Sequence, residues 1–370
     1  MHNLDLMVGS AFGSRVAGLR LERMRASARY IDGAFRNTAA VSPGLRPGTT
    51  WSTIGEFIAG GQRRTPPRPL PLFDPRPAWS RAAESGLRVT WLGHSSVLLE
   101  IDGARILTDP VWGPRASPFS FSGPKRFQPA PVALSELPAL DAVVISHDHY
   151  DHLDYPTICA LAHTDVPFYT SLGVGAHLES WGIAPERITE LDWWESVRLP
   201  GAELLITATP SQHFSGRALS DRNQTLWSGF ALQGPKHSLF FSGDTGLTDE
   251  YTEIRNRLGP FDLVLLEIGA FHAAWGQIHL GPENALQAHS LLGGRRLMPV
   301  HWGTFNLALH AWDEPVETLL SLAQQTSTAL LIPQLGAAVE PARAPGVEAW
   351  WRALSSDGAR ALHDATPAVT

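Results

Sequence analysis

The chain has a single cysteine, Cys159, and therefore no internal disulfide framework. Set in the apolar stretch 157–161, it reads as a small buried hydrophobe and not as a reactive thiol. Lysine-rich runs are missing and arginine is scattered. The 36 acidic residues outnumber the 29 basic ones for a formal charge of -7, a balance that argues against a nucleic-acid partner. No run of about eighteen apolar residues occurs, and no apolar segment follows a basic one at the N-terminus. These absences point to a cytoplasmic protein, at most peripheral to a membrane. There is no internal repeat, and low complexity is confined to one proline-rich run at 65–77.

What is present suffices for a large core: 370 residues, 44% of them hydrophobic, with 13 tryptophans whose default place is the interior. Residues 1–85 differ in texture from the rest. An arginine-rich helical segment at 15–29, suited to an anionic lipid surface, precedes the proline run, which fits neither a helix nor a central strand. We expect an N-terminal extension over 1–85 wrapping a domain over 86–370. From Leu87 onward strands dominate, at 88–92, 96–101 and 105–108, the last two joined by Asp102-Gly103, a favoured hairpin turn. Further short strands are expected at 142–145, 166–169, 204–209, 227–232, 238–241, 263–266 and 297–300. Helical patterns lie between them at 156–163, 175–181, 248–258 and 282–292, with Pro156 and Pro282 suited to first turns. Strands, hairpins and interposed helices in this order imply two mixed sheets covered by helices, an α/β sandwich.

Directly behind the strand at 142–145 stands His147-Asp-His-Tyr-Asp-His-Leu-Asp154. His147, His149, Asp151 and His152 fall at i, i+2, i+4 and i+5, a spacing that no helix or strand presents on one face but a tight irregular loop brings together. Imidazole and carboxylate suit a borderline divalent ion, zinc first, with manganese or iron as alternatives. The competing reading, a solvated histidine-rich loop, sits poorly behind a buried strand. Three more candidate ligands each follow a strand: His213, Asp244 and His301. Asp244 lies in Ser242-Gly-Asp-Thr-Gly246, where glycines permit a tight turn beside an ion. Together these are seven side chains, enough for two metals.

With these pieces in hand the chain resembles the metallo-β-lactamase superfamily, and within it the branch that contains N-acylphosphatidylethanolamine-hydrolysing phospholipase D and its bacterial relatives. The matching segments are Trp91-Leu-Gly-His-Ser-Ser96, Thr108-Asp-Pro110, Ser146 to Asp154, Leu191-Asp-Trp-Trp-Glu195, Gly243-Asp-Thr-Gly246, Glu267-Ile-Gly-Ala270 and His301-Trp-Gly-Thr-Phe305. They span most of the chain after Leu87. The resemblance implies a four-layer αββα sandwich. It implies that His147, His149 and His213 hold one metal, that Asp151, His152 and His301 hold the other, and that Asp244 bridges the two. One departure is Asp148, where the relatives often carry asparagine; it is expected to point away from the ions.

The same resemblance implies hydrolysis by a hydroxide bridged between two metals about 3.5–4 Å apart, acting on a phosphodiester of the phospholipid type. Asp244 and Asp151 are the candidate catalytic carboxylates. His279 is the candidate contact to the scissile group, its imidazole suited to proton transfer. His94 and Asp109 are candidates for outer hydrogen bonds that hold ligand rings. A lactonase or carboxylic-ester hydrolase stands as an alternative, as does a metal-bound scaffold without catalysis. A small-molecule or lipid substrate would want an apolar groove, to which tryptophans 112, 181, 193, 194, 275, 302 and 312 are candidates. The Gly-, Pro- and Ser-rich segment 111–127, with Phe119 and Phe121, is a candidate mobile lid or membrane-touching loop.

Overall fold

Residues 10–41, 48–49, 55–56, 60–272, 274–275 and 277–354 are described by the computed structural model. The rest of the N-terminal extension (1–9, 42–47, 50–54 and 57–59) lies outside the described residues. In chain order, helix α1 (Gly18–Ala26), a hairpin of β1 (Tyr30–Ile31) and β2 (Ala34–Phe35), and the helical turn α2 (Arg76–Trp79) come first. One sheet then forms from β3 (Leu87–Gly93), β4 (Ser96–Ile101), β5 (Ala104–Thr108), β6 (Ala142–Ile145), β7 (Phe168–Ser171) and β8 (Ile188–Leu191), with α3 (Tyr155–Leu161) and α4 (Gly175–Ser180) interposed. The second sheet takes β9 (Ser196–Arg198), β10 (Leu205–Thr209), β11 (Gly229–Gln233), β12 (Ser238–Phe241), β13 (Leu263–Glu267) and β14 (Leu297–Val300), with α5 (Glu250–Leu258) and α6 (Gly281–Leu292) between strands. Helix α7 (Glu314–Thr326) follows, and β15 (Ala338–Val339) returns to pair with β3.

Both sheets start antiparallel and end parallel. In the first, β3, β4 and β5 form a meander, after which β5 to β8 run parallel. In the second, β9 to β12 are antiparallel and β12 to β14 parallel. In the first sheet two-residue turns, at 94–95 and 102–103, join the meander. Asp102 and Gly103 have φ of 48° and 93°, the pair of positive values that a tight hairpin of type I′ needs. Parallel neighbours instead need a long connection, which a helix supplies in each case except β5 to β6, where 109–141 runs as a loop with one 3₁₀ turn at Leu134–Glu136.

Strand β4 shows how the layers arise. It is buried along its whole length, so its two faces must each meet a core. Val97, Leu99 and Ile101 join Ile206, Phe230 and Leu239 of the second sheet, while Leu98 turns to Leu107, Val143 and Ile158 beneath α3. On the far side of the second sheet, Ile254 of α5, Ala285 and Leu292 of α6 and Leu319 of α7 extend the main cluster. The result is helix, sheet, sheet, helix, the four-layer αββα sandwich. Each fully buried leucine here contributes about 1.5–3 kcal/mol.

The N-terminal segment lies against this framework. Met24 of α1 and Phe35 of β2 bury themselves with Trp193 and Trp227. The arginines of α1 face carboxylates of the domain: Arg20 pairs with Glu179 at 2.7 Å and Glu190 at 3.0 Å, and Arg23 with Glu195. The basic helix therefore commits two of its charges to its own fold. The proline run yields one helical turn, Arg76–Trp79, whose Trp79 Nε1 donates to Thr90 Oγ1 at 3.0 Å. Among the described residues no helix is long and apolar enough to cross a membrane.

Candidate metal centre

The C-terminal ends of β5, β6, β10, β12, β13 and β14 meet at one edge of the sandwich, and the polar side chains gather there. After β6 the chain leaves the ladder and turns on itself: the N–H groups of His152 and Leu153 both donate to the His149 carbonyl, at 3.0 and 2.7 Å. This turn swings His152 back toward His147. Leu153 anchors the loop in the outer core, and Asp154 ends it by capping α3 through Thr157 N–H, with Pro156 in the first turn. Glycines allow the neighbouring loops to approach. Gly243 has φ 57°, and a Cβ there would stand 2.6 Å from the Ser146 Cβ; at Gly246 it would stand 1.8 Å from the Gln277 carbonyl oxygen.

Two half-sites result. In the first, His147, His149, His213 and Asp244 present ligand atoms within 4.8 Å of one another. Outer hydrogen bonds fix the rings. Ser146 Oγ–H donates to Asp109 at 2.6 Å, so it accepts from His147 Nδ1–H at 2.9 Å. His213 Nδ1–H donates to the Ile278 carbonyl at 2.9 Å. Both Nε2 lone pairs then face His149 Nδ1, at 2.9 and 3.2 Å. Three imidazole nitrogens converging with at most one shared proton fit a cation. Burial first, then their neighbours, holds the pKa of His147 and His213 well below the ordinary imidazole range, and burial lowers that of His149. All three are thus neutral, the form that binds a metal.

In the second half-site His94, Asp151, His152 and His301 present ligand atoms within the same limit. His301 Nε2 lies 3.2 Å from Asp151 Oδ2 and 3.2 Å from Asp244 Oδ2. His152 Nε2 lies 3.1 Å from Asp244 Oδ1, but misaligned for a hydrogen bond, so both buried atoms lack one. Its other nitrogen, Nδ1, meets Asp109 Oδ2 at 2.7 Å. Asp244 also stands 3.9 Å from His147 Nε2 and 3.7 Å from His213 Nε2. Among the described residues its carboxylate faces both halves. Burial opposes charge on His152 and His301, yet Asp244 and Asp151 override it: His152 is raised well above its ordinary pKa and His301 up to about 10. Positive charge therefore accumulates where the carboxylates are. Backbone strain marks this half too, with His94, Asp109 and His301 at φ 53°, 32° and 64°.

All seven expected ligands come together, and Asp109 takes the outer position read for it. His94 stands beside the ligands themselves, with Nε2 3.0 Å from Asp151 Oδ2. Asp148 points away as expected, accepting from Gly216 N–H at 2.8 Å and Thr225 Oγ1–H at 2.9 Å, with His177 Nε2 3.6 Å away. His279 faces the centre, 4.0 Å from Asp244, and its Nδ1 meets Glu267 Oε2 at 2.7 Å. Glu267, completely buried at the end of β13, is a site residue that sequence reasoning missed; a carboxylate closing the apolar run 263–266 was the available signal.

The centre opens into a cleft of about 560 Å³ lined on its apolar side by Phe214, Leu219, Trp275, Ile278 and Leu307, with Arg222 on the rim. Of the seven tryptophans offered for a groove, only Trp275 lines this cleft; Trp181, Trp193, Trp302 and Trp312 are buried. The segment 111–127 contributes no residue to the lining of this cleft. Arg115 ties this loop to the carbonyls of Ser120 and Gly123, and Phe119 lines a different hollow beside Tyr150 and Arg217, not the cleft. Phe121 is exposed.

Comparison with known proteins gives four findings. A family model described as beta-lactamase superfamily domain matches residues 104–302. The chain is 47% identical over 355 residues to an uncharacterized protein of Mycobacterium tuberculosis, covering 93% of this chain and 92% of that one. It is 42% identical over 233 residues to N-acyl-phosphatidylethanolamine-hydrolyzing phospholipase D 1 of Caenorhabditis elegans, covering 60% of this chain and 65% of that one. Among solved structures, isothiocyanate hydrolase from Delia radicum gut bacteria superposes with a TM-score of 0.56 at 23% identity, over 68% of this chain and 98% of that chain, a likeness of fold alone.

Proposed function

Because the chain belongs to the metallo-β-lactamase superfamily, as a metal-dependent hydrolase, we propose that it hydrolyses phosphodiesters of the phospholipid type at a centre for two divalent ions, zinc first among them. His147, His149 and His213 would hold one ion, Asp151, His152 and His301 the other, with Asp244 shared. The observation that carries this reading is the Asp244 carboxylate, which has imidazole nitrogens of both halves within 3.9 Å. Bound there, the ions supply Lewis acidity and a water of strongly lowered pKa. The chain's own residues do the rest. Asp109 and the Ile278 carbonyl keep His152 and His213 turned inward, the apolar wall of the cleft excludes water from the reacting bond, and His279, oriented by Glu267, holds a proton beside the leaving oxygen.

The choice of a phosphodiester is supported by the nematode relative, a phospholipase D by name, and by a cleft that pairs an apolar wall with Arg222. Turnover of bis(p-nitrophenyl) phosphate, followed by N-acylated phosphatidylethanolamine in mixed micelles, tests it. Hydrolysis of lactones with neither phosphodiester touched would move the protein to the lactonase reading.

Metal uptake should depend on pH unequally at the two halves. His152 and His301 have raised pKa values, so in the metal-free protein they carry protons at neutral pH that an ion must displace. The neutral His147, His149 and His213 impose no such competition. As pH falls from about 10, the His301 value, affinity at the second half weakens. Zinc content measured after equilibration across this range is expected to drop from two ions to one before it drops to none; simultaneous loss of both would contradict the assignment.

A further inference from the structure

We propose that Asn37, in the N-terminal segment, is a positioning residue of the metal centre, clamping the backbone from which His213 projects. The proposal rests on the reading that His147, His149 and His213 hold an ion. His213 lies in the loop after β10, where no neighbouring strand serves its main chain, and it is fully buried. Its backbone N–H donates to Asn37 Oδ1 at 3.0 Å, and its carbonyl accepts from Asn37 Nδ2–H at 2.8 Å. One amide, 176 residues away in sequence, thus satisfies both main-chain groups of the residue. A buried polar group left without such a partner is costly, so the loop is held where the amide is.

The amide is itself held. Trp227 Nε1–H donates to Asn37 Oδ1 at 3.1 Å while also reaching the Ser211 carbonyl at 3.0 Å. Two residues earlier, Phe35 is buried and its N–H donates to the Asn223 carbonyl at 2.7 Å. With Nδ1 of His213 bound to the Ile278 carbonyl, every polar group of this residue except Nε2 is committed to a fixed partner. That leaves Nε2 aimed at His147, His149 and Asp244, with neither ring rotation nor backbone drift available to it. The N-terminal segment also reaches the loop of His147 and His149. Ala11 accepts from Arg217 Nη2–H at 2.8 Å, and Arg217 Nη1 donates to the Asp148 carbonyl at 2.6 Å. Asn37, however, touches only the His213 side, and this asymmetry makes its role separable from general support of the fold.

The test uses the full chain, stripped of metal and titrated with zinc against a competing chromophoric chelator, in wild type, Asn37→Ala and Asn37→Asp. In Asn37→Ala one of the two zinc affinities falls by about 10- to 100-fold while the other is unchanged, the range seen when an outer partner of a ligand is removed. The visible absorption of a cobalt-substituted sample shifts for that one ion. Asn37→Asp keeps the acceptor for His213 and Trp227 but loses the donor, and falls between; it also serves if the alanine variant does not fold. Equal loss at both ions, or a lower melting temperature of the metal-free protein with both affinities unchanged, would overturn the clamp. Wild-type protein that takes up no zinc would refute the reading of the centre itself, and with it the role of Asn37 there.

Discussion

Asp244→Asn is expected to lower metal-dependent turnover by about 10³-fold or more, since metal catalysis supplies several kcal/mol and each 1.36 kcal/mol is tenfold in rate. The substitution keeps shape and volume and removes only the charge. In the native centre that charge faces His152 Nε2 at 3.1 Å and His301 Nε2 at 3.2 Å, and it leads the groups that raise their pKa values against burial. An amide directs N–H toward at least one of these nitrogens and cannot be shared between two cations. The variant should therefore lose ions as well as rate, while its circular dichroism stays native because Asp244 contributes nothing to the apolar core. Native turnover with full metal content would show that the carboxylate is not the shared group.

The second large effect concerns His279. Its pKa is raised: burial works against the charge, but Glu267 at 2.7 Å, joined by Asp244, more than offsets it. The shift favours the protonated imidazole, which, with Nδ1 committed to Glu267, offers Nε2–H to the cleft. A group of this kind serves as the acid that protonates a departing alkoxide, a contribution of about 10²–10⁴-fold. His279→Ala should lose that factor on a substrate with a poor leaving group such as a glycerol alkoxide. On bis(p-nitrophenyl) phosphate the loss should be much smaller, because p-nitrophenolate departs without a proton. Equal losses on both substrates would make His279 a substrate-binding residue. Glu267→Gln keeps the hydrogen bond but not the charge, and should lower the pKa seen on the alkaline limb of the rate profile.

How much of this was legible varies with the range of the contact concerned. Strands β12 and β14 begin and end at the positions read from sequence, because their apolar runs are bounded by polar and turn residues on each side. The strand read at 166–169 is displaced to Phe168–Ser171: Pro167 has no N–H to give, and its carbonyl instead accepts from Val143. The short edge strand β9 carries exposed charge and no pattern, and it is defined by its pairing with β10. Helix α7 did have a pattern, with Val316, Leu319 and Ala323 buried along one face, and went unread.

At the site, the ligand loop was legible because its spacing fits no regular element. The three distant ligands were legible because each ends a strand. What orients them was not. Glu267 acts on a histidine 12 residues on, signalled locally only by a carboxylate closing an apolar run, and Asn37 acts on one 176 residues away from a local sequence that signals no partner. The charge on His152 and His301 likewise owes most to Asp244, which only the fold brings near, with Asp151, the sequence neighbour of His152, adding to it.

Elemental analysis of the purified protein, paired with hydrolysis of bis(p-nitrophenyl) phosphate before and after chelation, tests the central claim most directly. Two divalent ions per chain, turnover lost on chelation and restored by zinc are the expected result. Protein that hydrolyses the diester equally well with no metal remaining, or that binds less than one ion per chain under any loading, would contradict it.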